Sequence, residues 1–211
     1  MKGILITFEG IDSSGKTTQA KKLYQYLKKK KLPVIFTREP GGEIVAEKIR
    51  KILLSKKKLP LTALAELFLY EAARAQITNN LILPALKQGK IVVCDRFYDS
   101  TWAYQGYGRG LDLSWINKLN LEASLNLVPD LTFLVDIPVE ISIQRKSNLK
   151  TKKDRLEKEK KAFFEKVRKG YLDLAKKEQR ITIIAGEKTI PQVFAEVKKI
   201  TDKFLKESLN E

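Results

Sequence analysis

Short apolar runs alternate with longer amphipathic stretches along the chain. Five runs of four or five mostly β-branched or aromatic residues predict buried strands at 4–8, 34–37, 91–94, 131–135 and 181–184. Apolar residues at helical spacing predict helices at 16–31, 43–54, 64–87, 114–125, 139–146, 157–177 and 191–209. This alternation indicates an α/β fold in which a five-stranded parallel sheet is covered by helices on both faces.

The sequence of 211 residues shows no internal repeat and no flexible linker, which predicts a single domain over residues 1–211. One segment differs from its surroundings in charge. Residues 145–161 contain nine Lys or Arg and three Asp or Glu, and their large apolar side chains are Leu149 and Leu156. This composition fits a solvated helix face, and its position after the fourth strand also fits a mobile cationic flap.

Charge and residue types narrow the chemistry available to this chain. The 41 Lys and Arg exceed the 25 Asp and Glu, so the net charge of +16 favours nucleic acid, an anionic membrane or phosphorylated small molecules as partners. The absence of His and the single Cys94 exclude metal sites with several His or Cys ligands, and Ser-His-Asp or Cys-His nucleophiles. No stretch suits a signal peptide or a membrane span, so we expect a cytoplasmic protein.

Residues 10–17 fit the phosphate-binding pattern GxxxxGK[ST], between the first predicted strand and the first predicted helix. Gly10 and Gly15 let the backbone wrap a phosphate with its N–H groups, and the helix N-terminus adds a favourable dipole. Lys16 can then reach the β- and γ-phosphates, and the Thr17 hydroxyl can bind Mg²⁺. A plain glycine turn is the alternative, but strand, spacing, lysine and threonine all coincide with the motif.

Asp95 and Arg96 follow the third predicted strand. Ligands of open α/β sheets bind at the carboxyl ends of the strands. Asp95 can therefore hold Mg²⁺ directly or through water, and Arg96 can bridge the transferred phosphoryl group and its acceptor. A surface ion pair at the end of a strand is the alternative.

A second anion site is indicated by Arg38, after the second strand, and Arg50, in the next helix. Tyr70 and Arg74 lie four positions apart on one helix face, where a ring could stack on a base and a guanidinium could bind its carbonyl edge. Solvated arginines and ordinary helix packing are the alternatives. Residues 99–110 are dense in hydroxyl, amide and aromatic groups, which suits either a polar pocket or a plain surface loop.

Six sequence blocks, taken in order, resemble the thymidylate kinase family. They are FEGIDSSGKTTQ (8–19), TREPGG (37–42), LYEAAR (69–74), DRFYDSTWAYQGYGRG (95–110), PDLTFLVDIP (129–138) and DRLE (154–157). TREPGG and AYQG distinguish this family from adenylate, guanylate and shikimate kinases. The resemblance implies a P-loop NTPase fold with a small cationic lid at about 145–161. It also implies transfer of the γ-phosphoryl group of Mg-ATP to dTMP, giving dTDP and ADP in dTTP biosynthesis.

The resemblance also implies roles for individual residues. ATP would be bound by Gly10, Asp12, Ser13, Ser14, Gly15, Lys16, Thr17 and Thr18, with Arg145 against the adenine and with Thr17 and Asp95 at the magnesium ion. For dTMP, the resemblance implies that the phosphate is surrounded by Arg38, Arg50 and Arg96. Thymine would stack on Tyr70, and its edge would be bound by Arg74, Thr101 and Gln105. Asp12 would lie near the 3′-hydroxyl, and Tyr104 beneath the deoxyribose. The catalytic set would be Lys16, Asp95, Arg96 and Arg155.

The position of the catalytic cation separates two variants of this family. Here the phosphate loop reads Asp12-Ser13-Ser14, without a cation, so the chain resembles the lid type common in bacteria. The lid offers lysines at 150, 152 and 153 before Arg155, and the sequence leaves open which cation reaches the phosphates. The resemblance further implies a homodimer formed through the helices predicted at 64–87 and 114–125.

Two other readings differ in substrate. Another P-loop kinase could act on a nucleoside or a different pyrimidine monophosphate, although the arginines around an acceptor phosphate argue against a nucleoside. A nucleic-acid-binding NTPase would suit the net charge of +16. The cations concentrate in the lid and the C-terminal helices, and no known binding module is present, so we expect neither a nucleic-acid nor a membrane partner.

Overall fold

The computed structural model describes residues 3–55, 60–148 and 155–209. Within these residues, a five-stranded sheet has the strand order β2-β3-β1-β4-β5, and every neighbouring pair is parallel. The strands are β1 (Ile4–Glu9), β2 (Val34–Arg38), β3 (Ile91–Asp95), β4 (Leu131–Asp136) and β5 (Ile181–Ala185). The predicted fold class is therefore confirmed. Each strand continues one residue beyond the predicted run, because backbone pairing includes a final residue that is usually polar.

Helices connect the strands. They are α1 (Lys16–Lys29), α2 (Ile44–Leu53), α3 (Ala63–Ile77), α4 (Leu83–Lys87), α5 (Tyr98–Thr101), α6 (Leu113–Ala123), α7 (Val139–Ser147), α8 (Lys161–Ala175) and α9 (Ile190–Leu209). The helix predicted at 64–87 is a run of α3, a π-helical segment Thr78–Ile82 and α4. The helix predicted at 157–177 begins later, at Lys161, after a short 3₁₀ turn at Leu156–Lys158.

The hydroxyl-rich segment 99–110, which suited either a pocket or a plain surface loop, is mostly helical. Helix α5 continues into a π-helix at Trp102–Gly108. Periodicity did not predict this helix because its inward face is polar. Asp99, for example, is buried and pairs with Arg180 at 2.7 Å. The plain-loop alternative was therefore wrong.

Both faces of the sheet are buried. In β1, Ile6 and Phe8 pack with Leu23 of α1 in one apolar cluster, which also includes side chains of α9. Leu5 points to the opposite face and packs in a cluster with Ile77 of α3. Removing this apolar area from water favours the folded layers by roughly 25 cal/mol per Å². The packing explains why the strands read as continuous apolar runs.

The parallel register brings the carboxyl ends of the strands to one edge of the sheet. The Cα of Asp95 pairs with Phe8 on one side and with Arg38 on the other. Strand β1 lies between β3 and β4, so the phosphate-binding loop that follows it begins in the middle of this edge. Across the described part of the chain, none of the helices combines the length and the apolar character that a bilayer-spanning segment needs.

Candidate active site

The loop between β1 and α1 depends on two glycines with positive φ. Gly10 has φ 139° and Gly15 has φ 98°. A Cβ atom at Gly10 would lie 2.4 Å from the carbonyl oxygen of Val135, so a side chain cannot be accommodated there. The loop leads directly into the N-terminus of α1, where unpaired backbone N–H groups favour an anion.

Lys16 lies at the start of α1 and is 6% exposed. Its Nζ donates to the carbonyl oxygen of Ile11 at 3.3 Å and lies 4.0 Å from Asp12 Oδ1. Burial and the charge of Arg96 lower the pKa of Lys16 to about 8, although Asp12, Asp95 and Glu9 oppose the shift. A phosphate bound in this loop would place negative charge beside Lys16 and so favour its protonated form.

Thr17 and Asp95 bring a hydroxyl and a carboxylate together between α1 and β3. The Thr17 hydroxyl donates to Asp95 Oδ2 at 2.6 Å. The other carboxylate oxygen, Oδ1, is buried without a hydrogen-bond partner among the described residues. In that same part of the chain, no group of three or more acidic or cysteine side chains is placed to enclose a metal ion. The pair suits Mg²⁺, which usually binds one or two protein oxygens and completes its shell with water and phosphate.

Arg96 is the most highly connected cation of the site. It has φ 72°, an uncommon value for a residue with a side chain, and such backbone conformations concentrate at functional sites. Its guanidinium donates to Gly10 O (3.0 Å), Asp12 Oδ1 (2.8 Å), Ser100 Oγ (3.1 Å), Tyr171 OH (3.0 Å) and Tyr104 OH (3.2 Å). These bonds hold the arginine in one orientation beside the phosphate-binding loop.

Behind Arg96 lies Glu9, the last residue of β1, which sequence reasoning did not identify. Its carboxyl group accepts hydrogen bonds from the Phe97 N–H at 2.6 Å, Ser100 Oγ at 2.6 Å and Tyr171 OH at 2.9 Å. Burial and the charge of Asp99 raise the pKa of Glu9 to about 7. An acidic residue directly after an apolar strand was the available signal.

A cavity of about 220 Å³ opens at the carboxyl edge of the sheet. The structure brings to its wall the predicted residues Asp12, Lys16, Thr17, Arg38, Arg50, Tyr70, Asp95, Arg96, Thr101, Tyr104 and Gln105. Sequence reasoning missed the lining residues Glu39, Pro40, Leu54, Ser100, Leu156 and Glu157. Hereafter we call this the acceptor cavity. Residues from five connections, those that follow β1, β2, α2, β3 and α7, therefore meet in one small space.

Arg74 lies behind the wall of the acceptor cavity instead of lining it. The side chain is 1% exposed, and its guanidinium donates to Glu39 (2.9 Å), Glu71 (2.7 Å), Asn120 (3.1 Å) and Thr101 (2.9 Å). Burial acts to lower its pKa, but the carboxylates of Glu71 and Glu39 outweigh burial and raise it. Thr101 connects Arg74 to the cavity, and direct contact between Arg74 and a base stays a prediction.

Two further arginines, Arg38 and Arg50, line the acceptor cavity. Arg38 Nη2 donates to Glu47 Oε1 at 2.7 Å, and this carboxylate also accepts from the Gly42 N–H at 2.8 Å. Arg50 Nη1 donates to the carbonyl oxygen of Pro40 at 2.6 Å. Burial and the charge of Arg38 lower the pKa of Arg50, which remains a cation at neutral pH.

A second cavity, of about 660 Å³, lies on the other side of the phosphate-binding loop, and we call it the donor cavity. Its wall includes the predicted residues Ser13, Ser14, Gly15, Lys16, Thr17, Thr18 and Arg145. Arg145 donates to the carbonyl oxygens of Ser13 (3.4 Å), Ser14 (3.3 Å) and Gly186 (2.9 Å). Because Lys16 and Thr17 line both cavities, ligands in the two cavities would meet at these residues.

The structure describes the predicted lid in part. The lysines at 150, 152 and 153 lie outside the described residues. Arg155 is described, and its Nη1 pairs with Glu66 Oε2 at 2.5 Å while its Nε donates to the carbonyl oxygen of Leu53 at 3.3 Å. Leu156 and Glu157 line the acceptor cavity, but Arg155 lines neither cavity. Its contact with a phosphoryl group stays a prediction.

The sheet order, the loop at the end of β1 and the two cavities that share Lys16 and Thr17 define a P-loop NTPase. The thymidylate kinase family model matches residues 8–197. The chain belongs to the thymidylate kinase family, whose members are kinases that phosphorylate dTMP with ATP.

Individual relatives agree with this assignment. The thymidylate kinase of Pelotomaculum thermopropionicum is 45% identical over 98% of this chain and 98% of its own length. The thymidylate kinase of Thermosipho africanus is 48% identical over 96% and 99%. The crystal structure of thymidylate kinase from Ehrlichia chaffeensis matches with a TM-score of 0.76 at 38% identity, covering 95% of this chain and 99% of that one. These similarities favour the nucleotide kinase over the nucleic-acid-binding NTPase that the charge left open.

Proposed function

We propose that this chain transfers the γ-phosphoryl group of ATP from the donor cavity to the phosphate of dTMP in the acceptor cavity. The observation that carries this proposal is the sharing of Lys16 and Thr17 by both cavities. A shared wall lets two bound phosphates approach each other in line, and such alignment supplies a large part of the rate in phosphoryl transfer. The products are ADP and dTDP, within dTTP biosynthesis.

In the donor cavity, the loop from Gly10 to Thr17 and the neighbouring Thr18 bind the ATP phosphates through backbone N–H groups, and Arg145 lies against the adenine. Thr17 Oγ1 and Asp95 hold the magnesium ion, and the unpartnered Oδ1 of Asp95 supports this assignment. When bound, magnesium neutralises charge on the phosphate oxygens. Hydrogen bonds from Arg145 to the carbonyl oxygens of Ser13 and Ser14 fix its position relative to the phosphate-binding loop.

In the acceptor cavity, Arg38, Arg50 and Arg96 surround the phosphate of dTMP. Tyr70 offers a ring face for stacking on thymine, and Asp12 lies near the 3′-hydroxyl. The base edge is bound by Thr101 and Gln105, with Arg74 behind Thr101. Tyr104 lies beneath the deoxyribose, and its hydroxyl group is held by Arg96 at 3.2 Å.

Catalysis rests on cations placed where negative charge develops. Lys16 follows the transferring phosphoryl group, and Arg96 bridges it to the acceptor phosphate. Five hydrogen-bond acceptors orient Arg96 before any ligand binds, so little reorganisation is needed. The phosphate-binding loop has no arginine. Arg155 or the lysines at 150, 152 and 153 therefore supply the missing positive charge beside the transferring phosphoryl group when the lid closes.

A homodimer through α3 and α6 is part of the same proposal. Leu64 and Phe68 on α3 are 44% and 47% exposed, and Trp115 on α6 is 36% exposed. The Phe68 and Trp115 rings pack edge to face with centroids 5.8 Å apart. Exposed apolar side chains that adjoin in this way are typical of a protein interface. We place the dimer in the cytoplasm.

The experiment that tests the function is a substrate panel scored by ADP release. It compares dTMP with dCMP, UMP, dGMP and thymidine, at saturating Mg-ATP. We expect dTMP to have the highest kcat/KM by a wide margin. Equal or better use of thymidine would contradict the proposal, because a nucleoside has no phosphate for Arg38, Arg50 and Arg96.

A further inference from the structure

Glu66 of α3 is a buried carboxylate to which neither the sequence nor the proposed binding roles assign a function. Its side chain is 0% exposed. Oε1 accepts hydrogen bonds from Gln105 Nε2 at 2.6 Å and from Arg109 Nε at 3.2 Å. Oε2 accepts from Arg109 Nη2 at 3.1 Å and pairs with Arg155 Nη1 at 2.5 Å. Glu66 is therefore bonded both to an amide of the cavity wall and to two arginines.

The ionisation of Glu66 restricts what can face it. Burial acts to raise its pKa, but the hydrogen bonds from Arg109 and Gln105, together with the charges of Arg109 and Arg155, outweigh burial and lower it. An ionised carboxylate can accept hydrogen bonds but cannot donate one. An amide in contact with it must present its NH₂ group, since a carbonyl oxygen would meet the carboxylate lone pairs. Glu66 therefore sets the orientation of the Gln105 amide.

That orientation determines which atom Gln105 offers to a ligand. Gln105 lines the acceptor cavity together with Thr101 and Tyr104. Its Nε2 is bonded to Glu66, and its Oε1 accepts no hydrogen bond from any part of the chain that the structure describes. The carbonyl oxygen is thus available as an acceptor. An acceptor at a base edge matches a ring N–H, which thymine and uracil have at N3, and not the lone pair that cytosine has there.

We propose that Glu66 is a positioning residue that fixes the Gln105 amide, so that the acceptor cavity selects a pyrimidine with an N–H at N3 over cytosine. The proposal rests on the proposed function, because it takes a base as the ligand of this cavity. Glu66 touches no base and acts through Gln105. A site built to bond one polar group rejects an analogue that lacks it, by about 10⁴-fold in favourable cases, because the buried partner is left unpaired.

The test is Glu66→Gln with a matched pair of ligands. The variant keeps the shape of the side chain but can present either an oxygen or an NH₂ group to Gln105, so both orientations of Gln105 become possible. The ligands are dTMP and 5-methyl-dCMP, which share the sugar, the phosphate and the 5-methyl group and differ at N3 and C4. We expect the ratio of their kcat/KM values to fall by about tenfold or more in the variant. The ratio of their Kd values, measured by calorimetry, should fall in the same way.

The matched control is Glu159→Gln. Glu159 is the other carboxylate bound to Arg109, at 2.6 Å, and it makes no contact with Gln105. We expect this variant to keep the wild-type ratio. An unchanged ratio in Glu66→Gln, or an equal fall in Glu159→Gln, would overturn the proposal. If the wild-type protein bound dTMP without phosphorylating it, the proposed function would be refuted, while the Kd ratio would still decide the role of Glu66.

A measurement on the wild-type protein covers the case in which Glu66→Gln does not fold. Glutamine labelled with ¹⁵N at the side-chain amide gives a resonance for Gln105, assigned by its loss in Gln105→Asn. Donation to a carboxylate at 2.6 Å shifts one amide proton downfield and slows its exchange with water. We expect both properties to persist when dTMP binds. Loss of the shift and of the protection on addition of dTMP would show that the amide turns, which would overturn the proposal.

Discussion

The hydroxyl group of Thr17, on the first turn of α1, donates a hydrogen bond to Asp95, the last residue of β3, at 2.6 Å. The bond joins residues that are 78 positions apart in the sequence. It fixes the phosphate-binding loop against the neighbouring strand and leaves the other oxygen of Asp95 without a partner among the described residues. The two side chains thus form an oxygen-rich corner where both cavities meet.

The first prediction concerns this corner. Asp95→Asn keeps an acceptor for Thr17 but removes the charge, so we expect the magnesium concentration for half-maximal rate to rise about tenfold or more. Magnesium titrations of the ADP-release rate measure this change. Asp136→Asn is the control, because Asp136 ends β4, on the other side of β1 in the sheet, and pairs with Arg168 at 2.8 Å without lining either cavity. An unchanged magnesium requirement in Asp95→Asn would contradict the assignment.

The second prediction concerns the pH dependence of donor binding. The pKa of Lys16 is lowered to about 8 in the protein without ligand, by burial and by the charge of Arg96. Phosphate binds the protonated lysine, so we expect the affinity for ADP to fall as the pH rises through about 8 and beyond, with proton uptake on binding at that pH. Calorimetry in buffers of different ionisation enthalpy measures both. In Lys16→Arg, which stays charged, the fall should vanish; its persistence would contradict the role of Lys16.

The same shift has a defined sign for stability. The ordinary pKa of Lys16 is 10.5, and it is lowered to about 8 in the folded protein, so between these values the unfolded chain binds more protons. Stability from this group therefore rises with pH across that window. Lys16→Met should remove this contribution and also abolish most of the turnover without unfolding the protein. Near wild-type turnover in Lys16→Met would contradict the phosphate-loop assignment.

The third prediction concerns the sugar. The Tyr104 ring is buried in the wall of the acceptor cavity, so a 2′-hydroxyl group should crowd it. We expect UMP to be a much poorer acceptor than dTMP. The ribose form of TMP, which differs from dTMP by the 2′-hydroxyl alone, isolates the contribution of the sugar. In Tyr104→Phe the preference should persist, because the ring and not its hydroxyl group excludes the ribose. Comparable kcat/KM for dTMP and UMP would refute this prediction.

The fourth prediction concerns the lid. Arg155 is paired with Glu66 and lines neither cavity, and closure over ATP would have to exchange this partner for a phosphoryl oxygen. Loss of a comparable arginine lowers the kcat of phosphoryl transfer by a factor of about 10³ or more. We expect Arg155→Ala, or the joint change of the lysines at 150, 152 and 153 to alanine, to lower kcat far more than it weakens dTMP binding.

The control for the lid is Lys166→Ala, which removes a cation from an exposed position on α8. It should leave kcat near the wild-type value and so separates a local effect from a general loss of positive charge. Wild-type kcat in both lid variants would mean that the segment is a solvated charged face, the alternative that composition left open.

The fifth prediction concerns the oligomer. The exposed Phe68 and Trp115 rings should be covered in a homodimer. Light scattering at micromolar concentration should give about twice the chain mass of 24.1 kDa. Phe68→Asp should shift the mass towards the monomer, whereas Ile183→Asp, which changes an exposed apolar residue of β5, should not. A wild-type mass near 24.1 kDa would refute the dimer.

Local signals in the sequence were sufficient for the sheet and the phosphate-binding loop. The apolar runs of β1 and β3 specify strands because each residue there is buried on one face or the other. The glycine spacing around Lys16 follows from the backbone geometry of the loop itself. The placement of Arg38 and Asp95 near one cavity could also be anticipated, because parallel strands end at a common edge.

Polar side chains turned inward were harder to predict. Asp99 and Gln105 interrupt the apolar pattern that normally marks a helix. The hydrophobic pattern therefore did not predict α5 or the π-helix after it. Glu66 looked like an ordinary acidic residue, because the sequence around it contains nothing that shows burial, and the one signal for Glu9 was its position directly after an apolar run. Each is recognised by partners distant in sequence, such as Tyr171 for Glu9 and Gln105 for Glu66.

The sequence by itself determined the parallel sheet, the phosphate-binding loop and the family, because these depend on periodicity and on motifs of adjacent residues. The tertiary structure alone decided that Arg74 lies behind Thr101, that Arg155 pairs with Glu66 and that the Gln105 amide donates to Glu66. The physical reason is that the position and orientation of a buried charge or amide are set by the hydrogen-bond partners that replace water around it. Those partners come from other elements, and no local pattern of residues specifies them.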